Sequence, residues 1–296
     1  MDYIVYGMYR FFAFFLTHLP YRLRKAMVHG VAFLVYKLAK KHNRIAKANL
    51  DLAFAQSKSD AQKEAIIEAS WRNMVYNLYE FIVLQDASLE EMQKRISVEN
   101  DETILALLRS GKRVITVSGH YGCWEFSLPY FAMAYNPLTI ISRKLNNPYL
   151  DRVFRKARER KHLNMCEKKG AAKCMVKALH QKRTIALTID QSINAKQGVN
   201  VMFFGHKATQ VDSPVRLATK LDAVIVPLFT ISETFEKHKL VFLDPIEVKQ
   251  NMSDDEVQAL SQKLSDILEA QIRKAPEGWF WQHRRWKLYH PEIYKK

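Results

Sequence analysis

Short apolar runs that alternate with helical patterns constrain the fold of this 296-residue chain more than any other feature. Such runs are typical of buried strands, and helical patterns lie between several of them, for example at 148–162 and 171–182. Because alternation of this kind is typical of parallel sheets, the sequence predicts an α/β fold with a mainly parallel central sheet flanked by helices. The predicted strands are RVITV (113–117), LTII (138–141), TIALTI (184–189), VMFF (201–204), AVIVPLF (223–229) and KLVFL (239–243).

Two serines predict the starts of long helices. Ser59 is followed three residues later by Gln62, and Ser253 by Glu256, which is the spacing of a capping box. We expect the first helix to run to about Leu84 and the second to bury one apolar face.

The N-terminus is predicted to associate with a membrane. Residues 3–19 are almost wholly apolar and aromatic, but Arg10 interrupts them and Pro20 follows, so the run is marginal for a span of about 20 residues. A basic cluster at 22–25 precedes a second apolar run at 26–39. Aromatic rings beside basic residues favour a helix lying in the lipid headgroup region, although a buried core helix is an alternative. We therefore predict membrane-associating helices over 1–45 and one domain over 46–296.

The charge is unevenly distributed. The formal net charge is +16, and residues 141–185 contain fourteen basic and three acidic residues. Residues 1–50 contain nine basic residues and one acidic, and residues 273–296 contain seven basic and two acidic. This pattern favours an anionic partner, which could be nucleic acid, phospholipid or a phosphorylated substrate. An apolar content of 48% excludes an intrinsically disordered protein.

The three cysteines, at positions 123, 166 and 174, are too few for a disulfide framework and match no zinc pattern. The default expectation is a reducing compartment.

The most informative chemistry follows the first strong strand. Ser118-Gly119 reads as a tight turn that places His120 at the carboxyl end of this strand, where functional groups of α/β sheets gather. A turn broken at Gly122 would fold the carboxylate of Glu125 back onto the imidazole, and such a pair makes a general base. Cys123 is a conceivable nucleophile, but packing is the favoured interpretation.

The stretch 119–125 reads Gly-His-Tyr-Gly-Cys-Trp-Glu, a His-x4-Glu box. Five further segments follow it along the chain: Arg143 with Asn147-Pro148 and Asp151, Asp190-Gln191, 198–205 (GVNVMFFG), 223–229 and 276–287 (PEGWFWQHRRWK). In this order the segments resemble those of the lipid A late acyltransferases, the lauroyl and myristoyl transferases of Gram-negative bacteria, and the box resembles their acyltransferase box. The resemblance runs from about residue 100 to the C-terminus.

The resemblance implies a glycerolipid-acyltransferase-like fold and a specific reaction. An acyl chain would pass from acyl carrier protein to a hydroxyl of a Kdo-bearing lipid A precursor, at the cytoplasmic side of a bacterial inner membrane. His120 would be the base and Glu125 would orient it, with no acyl-enzyme, no cofactor and no metal.

Three further residues are predicted to bind substrate. Arg143 follows a strand end and could clamp a phosphate or carboxylate of the acceptor, or be a structural arginine. Arg158 lies on the following helix, where a solvated face is the alternative. Asp190 ends a strand and could fix an arginine or a substrate hydroxyl, or cap a turn.

Two rival functions remain open from the sequence. A glycerophospholipid acyltransferase would share the His-x4-acid box, although the HRRWK ending and the Asn-Pro segment argue against it. A non-enzymatic basic protein could bind membrane or nucleic acid, but no recognised nucleic-acid motif is present, and nucleic acid is not an expected partner.

Overall fold

The computed structural model describes residues 2–295, which form eleven α-helices and nine β-strands. The helices α1 to α11 span Asp2–His18, Tyr21–Leu38, Lys40–Phe54, Asp60–Val83, Leu89–Gln93, Glu102–Arg109, Trp124–Ala134, Pro148–Arg160, Ala171–His180, Ser213–Leu221 and Asp254–Lys274. The strands β1 to β9 span Ile96–Glu99, Arg113–Ser118, Leu138–Ile141, Leu163–Cys166, Thr184–Thr188, Val199–Phe203, His206–Gln210, Ala223–Thr234 and Lys237–Phe242.

Seven strands form one sheet in the order β1-β9-β8-β2-β5-β3-β4. Only β8 and β9 pair antiparallel in this sheet of the described chain, while the other five neighbouring pairs are parallel. The four middle residues of β2 are buried because helices cover both faces of the sheet. The predicted α/β fold with a mainly parallel sheet is therefore confirmed.

Five of the six predicted strands lie in this sheet, and the sixth does not. VMFF belongs to β6, which pairs antiparallel with β7 in a separate hairpin turned by Phe204 and Gly205, both with positive φ. The sequence patterns missed β1 and β4, which are four-residue strands at the two edges of the sheet. Edge strands are half-covered and carry polar residues, so they lack the continuous apolar run of a central strand.

Both capping boxes are confirmed. Ser59 Oγ accepts from Gln62 N at 3.3 Å, and Gln62 Oε1 accepts from Ser59 N at 2.8 Å. The same reciprocal pair joins Ser253 and Glu256 at the start of α11. Helix α4 then ends at Val83, within one residue of the predicted end.

The two N-terminal helices are packed on the body along one side and exposed along the other. Leu16 of α1 and Val28 of α2 are buried with Tyr76, Tyr79 and Phe235. No helix among residues 2–295 is long and apolar enough to cross a membrane. The predicted domain boundary at residue 45 falls inside α3, so the helix continues across it. Large apolar side chains exposed on α1 are Tyr3, Ile4, Val5, Met8, Phe11, Phe12, Phe14 and Phe15.

The expectation that the cysteines are reduced needs correction for one pair. Cys166 and Cys174 form a disulfide because the turn after β4 brings α9 back beside the end of that strand. Cys123 is free and buried.

Candidate active site

His120 lies in the loop that joins β2 to α7, which we call the histidine loop (119–123). The loop is held tightly because Gly122 has a φ of +56° and a Cβ there would lie 1.7 Å from Thr230 O. Gly122 N also donates to Gly278 O at 2.8 Å, and Phe280 N donates to His120 O at 3.1 Å. The histidine backbone is therefore fixed at the centre of the sheet edge.

The carboxylate that contacts the His120 ring is Asp190. Strands β2 and β5 are parallel neighbours with Ser118 opposite Thr188, so His120 and Asp190 each lie two residues beyond a paired position. Asp190 Oδ1 is 2.8 Å from His120 Nδ1, and Asp190 Oδ2 accepts from His120 N at 2.7 Å. Asp190 is fully buried, whereas the His120 side chain is 21% exposed.

Glu125 has a different partner from the one predicted. It lies in the first turn of α7, and its Oε2 is 2.8 Å from Arg158 Nη2 on α8. Arg158 also stacks over the ring of Phe81 at 5.0 Å. The hydrogen bond that His120 was expected to donate to Glu125 is therefore made to Asp190 instead, because the helix start directs Glu125 towards α8.

His120 and Asp190 shift each other's pKa values in the directions that favour a charged pair, although both groups are largely buried. Burial lowers the pKa of His120, but the charge and hydrogen bond of Asp190 and the charge of Glu125 outweigh it, so the pKa lies above its usual value. Burial raises the pKa of Asp190, but His120, the charge of His283 and the His120 backbone bond outweigh it, so this carboxyl stays ionised. An ionised Asp190 keeps the proton on His120 Nδ1 and leaves Nε2 as a base.

Cys123 is not placed for nucleophilic chemistry. It is fully buried at the start of α7, and burial, together with the charge of Glu80, raises the pKa of its thiol well above the usual value. A thiol of this kind is inert at neutral pH, as the packing interpretation predicts.

A cavity of about 480 Å³ opens beside His120 and extends along α7. Trp124 and Phe131 both line it, and these residues are separated by seven positions, or about 10 Å of helix. Polar and basic residues line one part, while the part under α7 is mostly apolar. The apolar lining residues that belong to the core cluster around α7 include Leu128, Phe131, Leu138, Ile140, Leu228 and Leu240.

Basic side chains lie at the polar part of the cavity. Arg143 is exposed there and forms no ion pair with any residue of the described range 2–295. Arg158 also lines the cavity but is paired with Glu125. Lys168 lines the cavity too, and no motif had singled it out, although it belongs to the strongly basic stretch 141–185.

The aromatic residues of the C-terminal motif belong to the core. Trp279, Trp281 and Trp286 are each 1% exposed or less. They surround Phe203 and Phe204, so these two phenylalanines pack in the core and do not line the cavity. Arg285 in the same motif is also fully buried, whereas Arg284 is exposed.

A half-buried histidine beside a mostly apolar cavity, at the edge of a mainly parallel sheet, is an arrangement that acyl transfer can use, and the family match shows that the protein is an acyltransferase. Residues 1–288 match the family described as bacterial lipid A biosynthesis acyltransferase, and the chain belongs to that family. The resemblance carried by the His-x4-Glu box and the C-terminal motif is thus confirmed.

Three comparisons describe its neighbours. The chain is 23% identical to a lipid A biosynthesis acyltransferase of Haemophilus influenzae over 92% of this chain and 84% of that one. It is 22% identical to a phosphatidylinositol mannoside acyltransferase of Mycolicibacterium smegmatis, over 88% of this chain and 86% of that one. The crystal structure of a 1-acyl-sn-glycerophosphate acyltransferase from Thermotoga maritima is similar, with a TM-score of 0.42 and 13% sequence identity, and the match covers 86% of this chain and 97% of that one.

Proposed function

We propose that the protein transfers a fatty acyl chain from acyl carrier protein to a hydroxyl of a Kdo-bearing lipid A precursor, in lipopolysaccharide biosynthesis. The observation that carries the proposal is the position of His120, which is held by Asp190 and faces a cavity with an apolar part long enough for a hydrocarbon chain. Membership of the lipid A acyltransferase family supports the choice of acceptor.

The proposed chemistry is direct attack by the acceptor. His120 Nε2 takes the proton of the acceptor hydroxyl as its oxygen attacks the thioester carbonyl carbon. The tetrahedral intermediate then collapses, the C–S bond breaks, and the leaving thiolate receives the proton from the imidazolium. Asp190 stabilises the imidazolium between these steps, as a buried carboxylate does in a catalytic triad. The buried, protonated Cys123 supports a route without an acyl-enzyme.

The charges around the cavity suit anionic substrates. The exposed guanidinium of Arg143 could form two hydrogen bonds with a phosphate or carboxylate of the acceptor. Lys168 would add a second positive charge at the same opening. We assign Arg158 an indirect role, because its guanidinium is already paired with Glu125.

We further propose that α1 and α2 lie on the anionic surface of a bacterial inner membrane, with the site on the cytoplasmic side. The exposed aromatic face of α1 would insert among headgroups, and Arg22 and Lys25 would contact lipid phosphates, whereas Arg24 is paired with Glu236. Helix α1 also packs against α8, through Tyr9 and Phe154 at 5.3 Å. A membrane-bound α1 would therefore bring the cavity close to lipid acceptors.

A transfer assay with three acceptors tests the function. Purified full-length protein is mixed with an acyl carrier protein thioester and a Kdo-lipid A precursor, a phosphatidylinositol mannoside or a lysophosphatidate. We expect transfer to the lipid A precursor, loss of transfer in His120→Gln, and retained transfer in Cys123→Ala. Preferred use of either other acceptor would overturn the proposed substrate, and an active, folded His120→Gln would overturn the proposed base.

A further inference from the structure

The segment 275–283, here called the C-terminal segment, lies directly behind the histidine loop. Trp279 and Tyr121 form an antiparallel bridge, which places the two stretches side by side like short strands. Its backbone bonds hold the loop on both sides of Tyr121, at His120 O and at Gly122 N. The indole ring of Trp279 then points back under the histidine, where it is 1% exposed.

The indole N–H of Trp279 reaches the carboxylate that holds His120. Trp279 Nε1 donates to Asp190 Oδ2 at 2.9 Å, and His120 N donates to the same oxygen at 2.7 Å. Two donors on Oδ2 leave Oδ1 directed at His120 Nδ1. The carboxylate is fully buried, so rotation away from these donors would leave charged oxygens unsatisfied.

We propose that Trp279 is a positioning residue for acyl transfer, because its indole N–H fixes the orientation in which Asp190 holds the His120 ring. The inference rests on the proposed role of His120 as the base. It assigns a role in the site to a tryptophan that burial alone would class as a core residue.

The other charged and titratable groups near His120 and Asp190 have partners of their own or contact only the backbone of Asp190. Glu125 on α7 is paired with Arg158, and His283 Nε2 lies 3.0 Å from the backbone oxygen of Asp190. Arg285 is also close enough to act on Asp190 electrostatically, but its Nη1 donates to Thr209 O. Trp279 is thus a neutral side-chain donor that contacts the carboxylate itself, beside the backbone N–H of His120, and its replacement leaves these charges in place.

The decisive comparison is Trp279→Phe against Trp281→Phe. Both changes remove one buried indole N–H from the same aromatic cluster, but Trp281 Nε1 donates to Pro276 O at 2.7 Å and does not contact Asp190. Without the Trp279 N–H, one hydrogen bond that partly neutralises the Asp190 carboxylate is lost, so the carboxylate stabilises the imidazolium more strongly and the pKa of His120 rises. The carboxylate is also less firmly oriented, so it holds the His120 ring in a less favourable position.

We therefore expect Trp279→Phe to lower kcat about ten- to hundredfold, the effect of losing a hydrogen bond to a charged group. We also expect its acid limb of activity, and the pKa of His120 followed by NMR, to move to higher pH. Trp281→Phe should lower Tm but change neither kcat nor the titration of His120. Equal kcat and equal His120 titration in the two variants would overturn the inference.

A measurement on otherwise native protein covers the case in which Trp279→Phe does not fold. In protein labelled with ¹⁵N at the indoles, single Phe variants assign the other four of the five tryptophans, and the remaining signal is that of Trp279. We expect this signal to follow the titration of His120 and to lose that response in His120→Gln. A signal insensitive to His120 would contradict the contact. The assigned tryptophans are Trp71, Trp124, Trp281 and Trp286.

The two proposals fail in different ways. The NMR titrations need no substrate, so they test the contact among Trp279, Asp190 and His120 even if no acceptor is used. Failure of transfer with a normal titration response would overturn the proposed function alone. Transfer by the native protein with no response to Trp279→Phe would overturn the positioning role alone.

Discussion

Replacement of Asp190 by asparagine removes one charge from the site and changes the side-chain shape very little. In the native site the carboxylate accepts three hydrogen bonds, from His120 Nδ1, His120 N and Trp279 Nε1. An asparagine has one accepting oxygen and one NH2 group, so it cannot satisfy all three donors. With its oxygen in the Oδ2 position, the NH2 faces Nδ1 and favours the histidine tautomer whose Nε2 already carries a proton.

That tautomer cannot take a proton from the acceptor hydroxyl. In the opposite orientation, the NH2 group would meet the N–H groups of His120 and Trp279, which is unfavourable in a fully buried place. An equivalent change in the Ser-His-Asp triad lowers kcat about 10⁴-fold. We expect Asp190→Asn to lower kcat by roughly 10³–10⁴, or about 4–5 kcal/mol in barrier height.

The assay is acyl transfer by purified full-length protein, with native folding of the variant checked by circular dichroism and Tm. Asp254→Asn is the matched control, since the Asp254 side chain is 86% exposed and pairs with Arg216 on the surface. It should keep native kcat. A folded Asp190→Asn variant within tenfold of the native kcat would refute the argument that Asp190 holds the base.

Two further predictions follow from the same geometry. Glu125→Gln and Arg158→Gln should each lower the rate of transfer. Because the two side chains form one 2.8 Å pair, the double variant should lose less activity than the product of the two single losses. Multiplicative losses in this double-mutant cycle would show that the two residues act independently. The pKa of His120 lies above its usual value and the base must be neutral, so kcat/KM should rise with pH through an apparent pKa above that of free histidine, about 6.5. Asp190→Asn removes the charge that stabilises the imidazolium, so the acid limb of its residual activity should move to lower pH. An acid limb that stays in place in this variant would contradict the assignment of His120 as the base.

Local patterns in the sequence determined most of the central architecture. The strand pattern at 113–117 placed His120 at the carboxyl end of a central strand, as the structure has it, although Ser118 of the predicted Ser-Gly turn is the last residue of β2. Both capping boxes marked true helix starts, because their hydrogen bonds join residues three positions apart. The edge strands β1 and β4 were missed because edge positions impose no continuous apolar run.

The partner of the histidine was decided only by the tertiary structure. From the sequence, Glu125 was the nearest carboxylate, five positions after His120, and Asp190 lay 70 positions away. The parallel pairing of β2 with β5 brings Ser118 opposite Thr188, and the chain then carries His120 and Asp190 to the same point beyond the sheet. Glu125 instead lies in the first turn of α7 and faces Arg158. No local pattern specifies which strands become neighbours, so the sequence singled out His120 as the candidate base but did not indicate that Asp190 contacts its ring.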